Sequence, residues 1–429
     1  MHMDKIQKSE TKVKQFWHML GPGLTTGAAD DDPSGITTYS QAGASFGYKL
    51  LWTAGLTFPL MAVVQEMCAR LGLVTGRGLA ASIRTHYPKW VLYTTAAMLL
   101  VANTFNIGAD LGMMAHATKL LVPINASVLV VLFAAGTLWM QIALSYKKYA
   151  QWLKWLAMIL FVYVFAAFVS HIDWKQVLSA TFVPRFSFNK DEVLILVAVL
   201  GTTISPYLFF WQTSQEVEEQ IMDGKTTIRQ RAEITTPADI KKMRIDVWSG
   251  MLLSNVVMFF IIAVCAATLF SQGLTTITDP AEAAAALKPL VGNAAYLFFT
   301  LGIIGTGLLA VPVLAGSSSY AISESFGWRE GLYRKFKQAH AFYAVIIVSM
   351  AIGLVINFLN LDPVKMLIYS AVLNGLISPF ILALIVMLSS NRKVMKEWTS
   401  HPFITSLGWL ITGIMTLASI ITIWYIVFA

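Results

Sequence analysis

Two short stretches of the chain set oxygen-bearing residues beside a proline within apolar surroundings. The first is Ala28-Ala29-Asp30-Asp31-Asp32-Pro33-Ser34-Gly35, with three consecutive carboxylates. The second is Gly201-Thr202-Thr203-Ile204-Ser205-Pro206-Tyr207, with hydroxyls in place of acids. Proline breaks the backbone hydrogen-bond ladder, and the carbonyls at the end of a half-helix attract cations. Together with an ionised Asp32, such carbonyls make an oxygen-rich cation site. In an apolar helix each carboxylate costs about 2.5–3.5 kcal/mol on insertion scales, which makes an ionisable residue there a mark of function.

The surrounding elements are membrane spans. Of the 429 residues, 56% are hydrophobic and 13% charged, with a mean hydropathy of +0.65. Soluble domains carry about 25% charged residues, so this composition excludes an ordinary cytosolic enzyme and any disordered or fibrous class. Two cysteines, Cys68 and Cys265, make neither a disulfide framework nor a thiolate metal cluster. The net charge of +8 is spread over loops without the clustering a nucleic-acid surface needs, so no nucleic-acid partner is expected.

A bilayer core needs about 20 apolar helical residues per crossing. Eleven stretches qualify, over 16–45, 50–74, 90–118, 124–145, 150–171, 191–218, 246–271, 290–324, 339–359, 363–389 and 402–428. The first run is broken by Gly21-Pro22-Gly23 and lacks a cleavage site, so it reads as a span and not as a signal peptide. With the N-terminus in the cytoplasm, 24 of the 31 Lys and Arg residues fall on the inner side, as the positive-inside rule requires. The longest inner loop, about 215–246, reads as a short amphipathic connector.

Pro33 and Pro206 lie 173 residues apart, in the first and sixth spans. Interrupted helices at corresponding positions of two halves point to the binding site of a secondary transporter. The expected fold class is therefore an all-α polytopic membrane protein with a five-plus-five inverted repeat and discontinuous first and sixth helices. Residues 1–429 would form a single transporter domain, with 16–171 as the first repeat, 191–389 as the second and 402–428 as an additional helix.

The same residues resemble the Nramp family of divalent-metal transporters, whose fold is the LeuT-type inverted repeat. Gln65-Glu66-Met67-Cys68-Ala69-Arg70-Leu71-Gly72-Leu73-Val74-Thr75-Gly76 is similar to the family stretch Q-x-x-x-A-R-L-G-x-V-T-G. Typical members carry D-P-G-N in the first helix and M-P-H in the sixth, where the Asp, the Asn, the Met sulfur and a carbonyl three residues before the Met hold the metal. By this resemblance the metal-holding positions are Asp32, Gly35 in place of the Asn, Ser205 in place of the Met, and the Thr202 carbonyl. Tyr207 replaces the His after the proline.

The departures carry chemical meaning. A thioether selects softer transition metals, and the Ser205 hydroxyl removes that selection. Gly35 deletes a ligand and enlarges the cavity. Magnesium dehydrates reluctantly and is held by one or two carboxylates with several waters kept. The pattern is similar to the Nramp-related magnesium transporter branch, which implies Mg2+ as transported substrate, with Mn2+ sharing the path and no cofactor. The family's third-helix pair of an Asp and, three residues on, a Glu is here Asp110 and Met113, and its sixth-helix His positions match Tyr207 and Gln212. With no His in the path, uptake driven by membrane potential without protons is expected. The drive for a divalent ion is about 4.6 kcal/mol per 100 mV.

Other polar residues are expected nearby. Asp31 and Asp30 lie on other faces of the half-helix than Asp32 and either bind the ion's outer waters or cap the break. Glu216 and Glu219 form a vestibule or are solvated helix-end charges. Gln212 and Asn374 line the cavity or bond neighbouring helices. Glu66 and Arg70 are spaced for a structural ion pair, while His116 and His171 fall near span ends and Gly302, Gly305 and Gly307 allow close helix packing. A proton-coupled manganese or iron importer and an organic-solute symporter of the same fold are the alternatives. A membrane-embedded hydrolase lacks the convergent His set it would need. The expected location is the bacterial plasma (inner) membrane, with the lipid bilayer and divalent metal ions as partners; the oligomeric state is not legible, and a monomer is compatible with these features.

Overall fold

The structure is a computed structural model that describes residues 21–144 and 158–428, apart from 171, 188, 234 and 360. Every regular element among the described residues is helical. The principal helices are α1 (Pro22–Asp30), α2 (Pro33–Phe46), α3 (Trp52–Thr75), α4 (Lys89–Thr118), α5 (Ala126–Ala143), α6 (Phe161–Val169), α7 (Lys190–Thr203), α8 (Pro206–Met222), α9 (Pro237–Thr268), α10 (Ala295–Phe326), α11 (His340–Ile356), α12 (Pro363–Ser390) and α13 (Pro402–Phe428).

Nine helical segments among the described residues are long and apolar enough to cross a membrane. The pair α1–α2 falls short of that length in each half because Asp31 and Asp32 interrupt it. Of the fifth expected span, 150–157 and 171 lie outside the described residues, as do 16–20 of the first, 145 of the fourth, and His171. The connector expected at 215–246 is much shorter: α8 runs to Met222, and α9 begins at Pro237. A capping box between Thr236 and Asp239 starts that helix ahead of its apolar stretch, because two side chains satisfy the first orphan amides.

Both breaks use the same local chemistry. Pro33 and Pro206 each open the second half-helix at its first turn, where the missing N–H is no loss. The first turn of α1 begins at Gly21, which offers no capping side chain. Asp246 of α9 supplies the cap from a distance, accepting from the Gly21, Gly23 and Leu24 amides at 2.7, 2.6 and 3.2 Å. A carboxylate at a helix N-terminus stabilises it by roughly 0.3–1 kcal/mol, more when partly buried.

Burial sorts the helices. The apolar cores of α3 and of the α7–α8 pair are 89% buried, whereas those of α5 and α13 are 28% buried. The broken helices therefore stand at the centre, with α5 and α13 on the rim. Close backbone approach makes this possible: a Cβ on Gly201 of α7 would come within 2.5 Å of the Gly375 amide nitrogen of α12. Gly307 of α10 packs in the same way against the Met114 side chain of α4. Glu66 anchors α3 to α9. It pairs with Arg70, as its spacing predicts, and also with Arg244 at 2.9 Å and the Trp248 indole at 2.8 Å.

Candidate functional site

The two breaks lie side by side. A Cβ built on Gly35 would meet the Asp30 carbonyl at 3.2 Å and both Thr202 Oγ1 and the Tyr39 ring at 3.4 Å, so the first break packs closely against the second. Tyr39 of α2 reaches Thr203 Oγ1 of α7 at 3.0 Å. Tyr207 donates its hydroxyl to the Ala29 carbonyl at 2.9 Å. Asp32, Thr202, Ser205 and Tyr207 are all buried, with exposures of 2% or less.

Asp32 leads α2 as its N-cap and accepts from the Gly35 amide at 2.6 Å. Its other oxygen accepts from Asn106 Nδ2 at 3.0 Å. Ser205 donates to the carbonyls of Thr202 at 2.7 Å and Gly201 at 2.8 Å. The structure thus brings Ser205 and Thr202 into direct contact, with hydroxyl and carbonyl oxygens from one turn of chain. A hydroxyl that donates keeps two acceptor lone pairs.

Asp30 and Asp31 turn toward α9 and share one hydroxyl. Ser254 Oγ lies 2.5 Å from Asp30 and 3.3 Å from Asp31. Adjacent residues of a continuous helix would diverge by about 100°. They converge here because α1 ends at Asp30 and the Asp31 backbone has left helical geometry. Asp110 of α4 is fully buried, lies against the Ser34 amide within electrostatic reach of Asp32, and makes no side-chain hydrogen bond among the described residues. None of the ion pairs among the described residues reaches Asp30, Asp31, Asp32 or Asp110. No group of three or more His, Cys, Asp or Glu among the described residues is arranged to hold a metal ion.

The remaining candidates fall away from the two breaks. Gln212 accepts from Thr26 of α1 at 2.5 Å and donates to Glu216 at 2.9 Å, so it joins two helices. Glu216 is buried and lines a small cavity of about 70 Å³ with Glu219, Asp246 and Gly21; it is not a solvated helix-end charge. Asn374 is buried beside Ser378, whose hydroxyl reaches the Ile204 carbonyl at the second break, 2.8 Å away. Asn374 Oδ1 has no hydrogen-bond partner among the described residues. His116 bonds the Gly112 carbonyl of its own helix at 2.8 Å, consistent with a place at a span end.

Sequence reasoning missed Asn106, Ser254, Ser370 and Asp246. Asn106 had a usable signal, since it precedes Asp110 by one helical turn on the same face of an apolar span. Ser254 and Ser370 had none, because an isolated serine in a membrane helix is ordinary.

A family model described as "Natural resistance-associated macrophage protein-like" matches residues 23–425. A divalent metal cation transporter MntH of Klebsiella pneumoniae is 26% identical over 427 residues, covering 97% of this chain and 96% of the relative. An MntH of Caldanaerobacter subterraneus is 27% identical over 416 residues, covering 94% and 91%. Among solved structures, an Eremococcus coleocola manganese transporter in complex with an aromatic bis-isothiourea compound superposes with a TM-score of 0.75 at 19% identity, over 96% of this chain and 87% of that one. MHP1, a nucleobase-cation-symport-1 family transporter, superposes with a TM-score of 0.55 at 14% identity, over 94% and 92%. At such identities the two structures speak for the fold alone.

Proposed function

The chain belongs to the Nramp family, and from that premise we propose that it is a divalent-cation transporter of the bacterial plasma membrane that takes up chiefly hydrated Mg2+, and also Mn2+, by alternating access without proton coupling. It is a transporter and not an enzyme. The observation that carries the ion chemistry is the donor set at the facing breaks. Asp32 supplies one carboxylate, Thr202 a carbonyl and Ser205 a hydroxyl, all buried, while Gly35 adds no side chain. Soft sulfur is absent from that set, and harder ions prefer oxygen. An all-oxygen set with a single carboxylate suits magnesium, which is held through one or two carboxylates and keeps several waters.

Burying Asp30, Asp31, Asp32 and Asp110 without a basic partner among the described residues is unfavourable unless a cation or protons compensate them. A transported divalent ion supplies that compensation. The half-helices of the first and sixth spans would rock against a scaffold of the third, fourth, eighth and ninth. Membrane potential is sufficient drive, at about 4.6 kcal/mol per 100 mV for two charges.

A second reading, proton-coupled import of manganese or iron, draws on Asp110, a buried carboxylate close to Asp32, and on the relatives described as MntH. One experiment separates the two: uptake of magnesium, manganese and calcium by purified protein in liposomes, with internal pH recorded. Magnesium uptake that is lost in Asp32→Ala and leaves internal pH unchanged is the expected result. Proton influx stoichiometric with metal would overturn the uncoupled reading, and undiminished uptake by Asp32→Ala would overturn the site.

A further inference from the structure

We infer that Asn106 determines which divalent ions the site accepts: it holds Asp32 as a one-oxygen ligand and thereby disfavours calcium. The inference rests on the reading of Asp32 as the ion's carboxylate. Both oxygens of Asp32 already carry a donor, the Gly35 amide on Oδ1 at 2.6 Å and Asn106 Nδ2 on Oδ2 at 3.0 Å. The Gly35 amide belongs to the first turn of α2 and cannot withdraw without unwinding it. Asn106 reaches in from α4.

A side-chain amide could turn over and present oxygen, but this one is held. Ser370 of α12 donates to Asn106 Oδ1 at 2.6 Å. Ser34 lies 3.4 Å from the Ser370 hydroxyl, and both serines reach the Leu367 carbonyl, at 3.1 and 2.8 Å. Turned over, Asn106 would set its oxygen against a carboxylate and its NH2 against a hydroxyl already positioned to donate. Asn106, Ser370, Ser34 and Asp32 are all buried to 1% exposure or less, so no bulk water replaces a lost partner. The donor is also neutral: it orients the carboxylate without cancelling the charge an ion needs.

Calcium takes about 6–8 oxygens and often both oxygens of a carboxylate, whereas magnesium keeps a tight octahedral shell with waters. Closing both oxygens of Asp32 on one ion crowds the Asn106 donor off Oδ2 and orphans a buried amide, which is costly. Magnesium bound through one oxygen and its waters incurs no such loss. Asn106 is thus a positioning residue for ion choice, and Ser370 acts through it.

The test compares calcium and magnesium uptake in liposomes for the unaltered protein, Asn106→Leu, Asn106→Val, Ser370→Ala, the Asn106→Leu/Ser370→Ala pair and Asp32→Ala, each checked for monodispersity and melting temperature. Asn106→Leu and Asn106→Val each lack the donor and should raise the calcium-to-magnesium ratio about tenfold, the scale of one hydrogen bond to a charged group. Ser370→Ala should raise it less, and the pair no more than Asn106→Leu alone, because the serine has no other route to the ion. An unchanged ratio in whichever folded Asn106 variant is obtained, with Asp32→Ala inactive, would overturn this inference and leave the site standing. Full uptake by Asp32→Ala would overturn the site and this inference together.

Discussion

The hydroxyl of Tyr207 lies 2.9 Å from the carbonyl oxygen of Ala29, so the first turn of one broken helix satisfies an orphan carbonyl at the end of the other. Half-helix ends leave four carbonyls without intrahelical partners. In a buried site each must find a donor, a water or an ion. Tyr207 serves one of them and joins the two broken helices.

Tyr207→Phe keeps the ring and removes that donor. Leaving a buried acceptor unpaired costs about 1–3 kcal/mol, so the variant should melt at a lower temperature while still taking up magnesium. Thermal unfolding in detergent with and without 10-fold varied magnesium is the measurement. A melting curve identical to that of the unaltered protein would show that the bond contributes nothing.

Ion choice should follow the donor set. Gly35→Asn together with Ser205→Met restores an amide and a thioether at the facing breaks, and should raise manganese over magnesium uptake by about tenfold or more, since soft ligands favour transition metals. A Cβ at Gly35 would sit 3.2 Å from the Asp30 carbonyl and 3.4 Å from Thr202 Oγ1 and the Tyr39 ring, so the larger side chain requires these neighbours to shift by a few tenths of an ångström or more. Losing the Ser205 hydroxyl also frees the Thr202 carbonyl it bonds. An unaltered manganese-to-magnesium ratio would assign ion choice to other residues.

Glu330 lies in the connection between α10 and α11, outside the spans, and lines a cavity of about 410 Å³ with Glu218, Glu324 and Arg84. Burial, and then the neighbouring Glu324 carboxylate, push its carboxyl up to about 9. The folded protein therefore binds a proton there that the unfolded chain, with its ordinary carboxyl, has released above about pH 4.5. Stability from this group is full at low pH and falls as pH rises toward 9, because the folded state then binds more protons than the unfolded one. Glu330→Gln mimics the protonated carboxyl and should flatten the decline between pH 5 and about 9, as read from unfolding curves across that range. The same slope in both proteins would refute the assignment.

Much of this protein is legible from the order of its residues. Spans announce themselves because lipid demands long apolar helices, and the interruptions at Pro33 and Pro206 stand out because a broken ladder is costly in lipid. The i, i+4 spacing of Glu66 and Arg70 similarly reveals their pairing, since it depends on one helix alone. Arg244 and Trp248, which complete that cluster, come from a helix nearly two hundred residues on and leave no local trace.

Where the backbone must break, which oxygens stand at the breaks and that the chain spans a membrane all follow from residue order alone, through composition and the chemistry of proline. What each oxygen faces depends on how the helices pack. That packing turns Asp30 and Asp31 together onto Ser254, gives the start of α1 its cap from Asp246, and sets Asn106 and Ser370 in line behind Asp32. These contacts join helices far apart in the chain. An asparagine or serine acquires such a role only from the partner that packing places within three ångströms of it.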